Sequence, residues 1–315
     1  MKIVITGGGG MIGQKLAARL LAEKRCEKLV LFDAVAPQGP DDPRVERVTG
    51  DITDPALVRH VIAPDVEGVF HLAAVVSAGA EADFDLGWTV NLEGTRHVLE
   101  AARAAKKPPR LVFASTAAVY GGDIPETVVD STPLTPQTSY GSQKACGELL
   151  VNDYSRKGYI DGRSLRLPTI VVRPGKPNKA ASGFASSIIR EPLNGVDFEC
   201  PVTPESCMAL MSPRSVVDAF IRMFELEAAK LGPFRSLMLP GIRISMAEAK
   251  AALDDANTNR KKGRITFKTD PAIQKIVDGW PKEMRADRAR ALGFRADRDM
   301  AEIVQAYIED DFRPA

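Results

Sequence analysis

The first two dozen residues carry the strongest constraint on the fold. Lys2-Ile3-Val4-Ile5-Thr6 is a short apolar run of strand type, and Met11–Glu23 repeats apolar residues (Ile12, Leu16, Leu20, Leu21) at helical spacing. Between them stand Gly7, Gly10 and Gly13, three residues apart. A strand, a glycine turn and a helix in direct succession allow a tight turn and close approach of backbone. They also leave a helix N-terminus free to face a phosphate. That context points to a dinucleotide, with Gly7, Gly10, Met11, Ile12 and Gly13 against its pyrophosphate. Asp33 ends the next apolar run, Lys28–Phe32, and is placed to accept from both hydroxyls of a ribose. The same carboxylate repels a 2′-phosphate, and Ala34, Val35 and Ala36 supply no cation, so NAD is expected over NADP.

Beyond that unit, short apolar runs keep alternating with helical patterns. Strands are predicted at 2–6, 28–32, 44–49, 68–73, 110–115 and 164–172, with helices at 11–23, 90–105 and 140–157. Thr53 or Asp54 caps a further helix that Pro55 opens. The alternation predicts an α/β class: a Rossmann-type doubly wound parallel sheet with a smaller C-terminal lobe. The domain expectation is 1–172 for nucleotide binding, with 211–230 packing back on it, and 173–210 plus 231–315 for the lobe. Helices are expected near 215–229 and 245–253, and the last two dozen residues read as an amphipathic helix with a frayed end.

Composition removes several function classes. A formal net charge of +1 gives no reason to invoke nucleic acid or an anionic membrane surface. No apolar run approaches the ~18 residues that span a bilayer, and the start has no long apolar signal core. A cytoplasmic protein without membrane partners is the expectation. Cys26, Cys146, Cys200 and Cys207 are scattered without ligand spacing and read as reduced thiols, and the three His do not pair, so no metal site is expected.

Chemistry enters at Tyr140 and Lys144, four residues apart and therefore on one face of a helix. An ammonium there favours the phenolate of Tyr140 by charge proximity. Bringing a Tyr from pH ~10 to about 7 needs roughly 4 kcal/mol of preferential stabilisation. A tuned Tyr beside a nicotinamide pairs a proton acceptor with a hydride acceptor, which is the requirement for alcohol oxidation. Asp51 is open between accepting from an adenine amino group, with Ile52 against the ring, and capping a helix. His71 reads as a packed strand residue, and the small residues after it (Leu72, Ala73, Ala74) let backbone pass beneath a cofactor. The amide of Asn91 either bridges backbone and cofactor or is a polar helix start.

With these residues in place the chain resembles the extended short-chain dehydrogenases/reductases. The motifs run in order: Gly7-x-x-Gly10-x-x-Gly13, Asp33, Asp51-Ile52, His71-Leu72-Ala73-Ala74, Asn91, Ser115-Thr116-Ala117-Ala118-Val119-Tyr120-Gly121 and Tyr140-x-x-x-Lys144. The resemblance implies Tyr140 as acid/base, Lys144 on the nicotinamide ribose, and Thr116, with Ser115 as its neighbour, orienting the substrate hydroxyl. It also implies that Pro168 and Ile170 run beside the nicotinamide carboxamide. Members that dehydrate sugar nucleotides place an Asp-Glu pair after the catalytic Thr. Ala117 and Ala118 stand there and transfer no protons.

The stretch Arg173–Phe184 resembles a group that oxidises a four-carbon sugar acid at C2 to the 2-oxo acid. An aldonate carboxylate needs a cation, and Lys176, Lys179, Arg173, Arg190 and Arg214 fall in or near the expected lobe. The substrate set is therefore expected to comprise Ser77, Thr116 and Tyr140, with Asn178, Lys179, Ser182, Arg190 and Arg214. A sugar nucleotide's diphosphate wants the same charges, so a nucleotide-sugar epimerase is one alternative, and a dehydrogenase of a uronate or another aldonate is the other. The helices near 90–105 and 140–157 are candidates for a four-helix seam in a homodimer.

Overall fold

The computed structural model describes residues 1–175, 182–258 and 260–313. Its strands are β1 (Lys2–Thr6), β2 (Lys28–Asp33), β3 (Val45–Thr49), β4 (Gly68–His71), β5 (Arg110–Thr116), β6 (Thr127–Val129), β7 (Asp161–Leu167), β8 (Thr169–Ile170), β9 (Phe198–Cys200), β10 (Cys207–Met211), β11 (Ser236–Met238), β12 (Ile242–Ser245), β13 (Ile265–Phe267) and β14 (Glu283–Arg285). The chain divides into two compact units: residues 1–119, 136–167 and 217–237, and residues 120–135, 168–216 and 238–315.

The first unit holds a seven-stranded sheet in the order β11-β7-β5-β4-β1-β2-β3. Its strands pair in parallel from β3 through to β7. Strands covered on both faces read as continuous apolar runs, and Ile3, Val4, Ile5 and Leu29–Phe32 are buried accordingly. The chain runs outward from β1 through β2 to β3, then returns to pair β4 on the other side of β1. Strand order therefore reverses between β1 and β4, the crevice where open α/β sheets take their ligands. The core beneath includes Val4, Val30, Phe32, Val69, Leu99, Leu111 and Phe113.

Two elements differ from the sequence expectation. The helix foreseen over 90–105 begins as a π-helical turn, Trp88–Glu93, and becomes α-helical only at Gly94–Arg103. The strand foreseen over 164–172 starts at Asp161, ends at Leu167 and resumes as β8 after Pro168, which offers no N–H to a ladder. Its early start escaped the apolar pattern because Arg163 is fully buried there. That guanidinium donates to the carbonyls of Met223 and Leu226 at 2.8 and 2.7 Å, at the C-terminus of helix Pro213–Glu225.

The second unit contains three small sheets, β12-β10-β8, β13-β9 and β14-β6. Their core gathers Phe184, Ile188 and Ile189 from helix Gly183–Leu193 with Met246, Leu253, Ile303 and Tyr307. Residues 120–135 cluster with this unit through the β6–β14 pairing. The segment that rejoins the first unit is 217–237. The terminal helix is confined to Met300–Asp310.

Candidate active site

The glycine turn is built as a cradle. Gly7 adopts φ +72°, and a Cβ on it would lie 2.7 Å from the backbone nitrogen of Ala73. A Cβ on Gly13 would lie 2.4 Å from the carbonyl oxygen of Gly7. Both positions exclude a side chain, so turn, helix start and the end of β4 meet backbone to backbone. Gly10 precedes helix Met11–Ala22 as its N-cap and has no capping side chain. The first-turn N–H groups of Met11, Ile12 and Gly13 therefore keep their donor character for a pyrophosphate. The side chain of Asp33 accepts from Gly9 N–H at 2.9 Å and Val35 N–H at 3.3 Å, which fixes the carboxylate beside the turn. These residues fit a dinucleotide with free ribose hydroxyls.

Asp51 accepts from Thr53 N–H at 2.8 Å, while Asp54 caps helix Pro55–Val61 through Ala56 and Leu57. The cap thus falls to Asp54, and Asp51 keeps an exposed second oxygen. Ile52 is buried, and a Cβ on Gly94 would lie 2.9 Å from its Cγ2. His71 is buried between Thr6 Oγ1, 2.7 Å from Nδ1, and Thr95 Oγ1, 2.9 Å from Nε2. Thr95 spends its proton on the Asn91 carbonyl, so its oxygen accepts from Nε2–H and His71 carries its proton there. Burial first, and the positive Lys144 second, push His71 down to about 3, which keeps it neutral. Leu72, Ala73 and Ala74 follow as a half-buried strand exit, where Leu72 N–H donates to the Thr6 carbonyl at 3.0 Å and Ala73 N–H to Thr6 Oγ1 at 3.4 Å. Asn91 sits in the π-helical turn, where its amide accepts from Val75 N–H at 2.8 Å and donates to Val75 O at 2.9 Å. It holds backbone, and the segment it holds leads into helix Ser77–Ala82, where Ser77 is half-buried.

Helix Ser139–Arg156 presents the candidate acid/base. Thr138 caps it by accepting from Gly141 N–H, and Glu81 accepts from Ser139 N–H at 3.0 Å. A Cβ on Gly141 would lie 2.1 Å from the carbonyl oxygen of Ala118, so only glycine lets this helix start lie against the turn that follows Thr116. Lys144 is buried, donates to the Ala114 carbonyl at 2.9 Å, and places Nζ 4.6 Å from the Phe113 ring centroid and 5.8 Å from that of Tyr140. Burial pushes its ammonium down to about 7, opposed by Glu148 one turn along the helix. Thr116 ends β5 half-buried and accepts from Ala118 N–H at 3.1 Å. Tyr140, Lys144 and Thr116 thus stand on neighbouring elements of one unit.

Several expected residues have other duties. Ser115 faces away from Thr116, as successive strand residues do, and donates to Glu148 at 2.5 Å. Arg190 is buried and donates to Arg173 O at 2.7 Å, Ser187 Oγ at 2.9 Å and Glu191 Oε1 at 2.6 Å. Arg214 pairs with Glu309 at 2.9 Å and Asp310 at 2.7 Å, which raise its pKa further. Both cations thus have carboxylate partners within their own unit. Ser182 is half-buried ahead of helix Gly183–Leu193. Pro168 and Ile170 lie in the second unit, Ile170 paired to Met211. Asn178 and Lys179 lie outside the described residues, as does Lys176. Sequence reasoning passed over Glu148 and Arg166; the spacing of Glu148 four residues after Lys144 was the available signal.

Fold and site together define an oxidoreductase built on a dinucleotide-binding sheet, and the chain belongs to the NAD dependent epimerase/dehydratase family, whose model matches residues 3–233. Over its whole length it is similar to two D-erythronate dehydrogenases. One, from Cupriavidus necator, is 50% identical over 320 residues, covering 98% of each chain. The other, from Haemophilus influenzae, is 44% identical over 314 residues, covering 99% of this chain and 100% of the relative. Among solved structures, a nucleoside-diphosphate-sugar epimerase from Agrobacterium tumefaciens superposes with TM-score 0.92 at 39% identity, covering 98% of this chain and 94% of its own. A holo GalE-like L-threonine dehydrogenase from Cupriavidus necator gives 0.88 at 26%, covering 98% and 99%.

Proposed function

We propose that the protein oxidises D-erythronate at C2 to the 2-oxo acid with NAD. The observation that carries hydroxyl oxidation is the placing of Tyr140 and Lys144 on one face of helix Ser139–Arg156, beside Thr116 at the end of β5. The substrate follows from the names of the two full-length relatives. When bound, NAD supplies the acceptor for the hydrogen and electron pair that leave carbon. The chain's own residues do the rest. Thr116 orients the C2 hydroxyl, and the phenolate oxygen of Tyr140 takes its proton. Lys144, held on Ala114 O, lowers the cost of that phenolate by charge and hydrogen-bonds the nicotinamide ribose. Ala117 and Ala118 follow Thr116 and carry no proton-transfer group, which disfavours water elimination.

The first unit holds the dinucleotide in this reading, and the second supplies the substrate lobe. With Arg190 and Arg214 engaged elsewhere, Lys176 and Lys179 are the cations assigned to the carboxylate, and Asn178 and Ser182 to the chain hydroxyls. A cytoplasmic homodimer completes the reading. Phe84 and Trp88, 56% and 44% exposed, stack at 5.9 Å between ring centroids on the segment that packs against helix Ser139–Arg156, where Leu149 is 59% exposed. An apolar patch of this kind suits a second copy of the chain.

A panel of D-erythronate, other aldonates, L-threonine and a nucleotide sugar, incubated with NAD, tests the function. Reduced cofactor accumulating with D-erythronate at the highest kcat/KM supports it. Interconversion of the nucleotide sugar without net cofactor reduction contradicts it and favours an epimerase.

A further inference from the structure

One turn beyond Lys144 on the same helix lies Glu148, whose side chain is 0% exposed. Ser115 donates to its Oε1 at 2.5 Å. Arg166, reaching in from β7, closes the other side: Nε donates to both carboxylate oxygens at 3.0 and 3.1 Å, and Nη2 to Oε2 at 2.8 Å. Burying such a pair costs desolvation that its attraction barely repays, and apolar replacements are often neutral for stability. Stability alone therefore gives a weak account of it.

Its location gives a better one. Lys144 grips the carbonyl of Ala114, and Glu148 grips the side chain of Ser115, the next residue of β5. Thr116 is the residue after that. The helix bearing Tyr140 is thus pinned to β5 at two successive residues just before the substrate-orienting hydroxyl. Resting on the hydroxyl-oxidation reading above, we propose that Glu148, fixed by Arg166 and Ser115, is a positioning residue. It sets the register of Tyr140 and Lys144 against Thr116 and supplies the negative charge that balances the buried Lys144 ammonium. Around that ammonium stand Tyr140 and Glu148 on its own helix, neutral His71 on β4, and the Phe113 ring and Ala114 carbonyl on β5. Glu148 acts on Lys144 in the direction that favours the ammonium, and Arg166 is hydrogen-bonded to Glu148.

The test uses Ser115→Ala, Glu148→Gln and the paired Glu148→Gln/Arg166→Met, which removes both buried charges together. Ser115→Ala should lower kcat about tenfold with KM for NAD within about twofold. The paired variant should keep a cooperative melt while kcat falls on the order of 10²-fold, the usual cost of a misplacement near 1 Å. In Glu148→Gln, where Arg166 stays, removing the carboxylate disfavours the ammonium, so the alkaline limb of the kcat/KM profile should move to lower pH. NMR titration of the lysine side chain in the NAD complex reads the same shift without any substrate. It therefore separates failure of this proposal from failure of the substrate assignment. A paired variant that melts like wild type with wild-type kcat, or a folded Glu148→Gln with an unmoved Lys144 titration, overturns the proposal and leaves the cluster a packing feature. If Glu148→Gln alone does not fold, Ser115→Ala and the paired variant decide.

Discussion

Tyr140 and His71 show how burial sorts two titratable side chains into different work. Tyr140 stands half-buried at the first turn of its helix, within 5.8 Å (ring centroid to Nζ) of a cation that its surroundings have largely stripped of water. Tyr140→Phe keeps the ring and removes the proton acceptor, so kcat should fall at least ~10²-fold, as for other general bases. NAD affinity, measured by equilibrium fluorescence, should change little, and near-wild-type turnover would contradict the role. His71 has no route to reaction: both ring nitrogens are spent on Thr6 and Thr95. Its folded pKa of about 3 lies below the ordinary value of 6.5, so between those values the unfolded chain binds the extra proton. Stability contributed by neutral His71 is present above about pH 6.5 and lost as pH falls toward 3, by at most ~1.4 kcal/mol per pH unit. Urea denaturation at several pH values should show His71→Gln with a shallower slope across that window. The motif already put the orienting hydroxyl on Thr116 with Ser115 as its neighbour, and strand alternation places the two on opposite faces.

Among the elements, the βα unit at the N-terminus and the Tyr140 helix were legible because their signals are local: glycines at three-residue spacing, apolar residues at helical spacing, a Tyr and a Lys one turn apart. What escaped was decided by partners distant in sequence. β7 begins three residues before its apolar pattern because Arg163 is buried against carbonyls some sixty residues away. Arg214 looked available until Asp310, 96 residues on, neutralised it. The π-helical turn at Trp88–Glu93 carries no pattern that separates it from an α-helix, yet it aims Asn91 at the Val75 peptide. At Gly141 the packed turn shows why glycine is needed. Gly141→Ala drives a Cβ into the Ala118 carbonyl and must displace the helix start. It should cost about 1–3 kcal/mol of stability, as overpacking does, and lower kcat by more than KM for NAD. Denaturation midpoints and steady-state kinetics check both halves, and an alanine variant with wild-type kcat would contradict this account of the contact.

For the molecule as a whole, no helix among the described residues is long and apolar enough to cross a membrane. Phe84, Leu86, Trp88 and Leu149 are large apolar residues left exposed. If a second copy covers them, Trp88→Arg combined with Leu149→Glu should shift sedimentation velocity from dimer to monomer at micromolar concentration while leaving the far-UV spectrum intact. A wild type that sediments as a monomer contradicts the seam. The central claim joins the dinucleotide turn, the Tyr140–Lys144 face and the sugar-acid relatives into one reaction at one carbon. D-erythronate deuterated at C2 tests it most directly, by mass analysis of the reduced cofactor and of the product. The account predicts one deuterium in the reduced nicotinamide for each 2-oxo acid formed, with turnover slowed by the label when that step limits. Reduced cofactor free of deuterium would place the oxidation at another carbon, and no reduced cofactor at all would contradict the dehydrogenase reading itself.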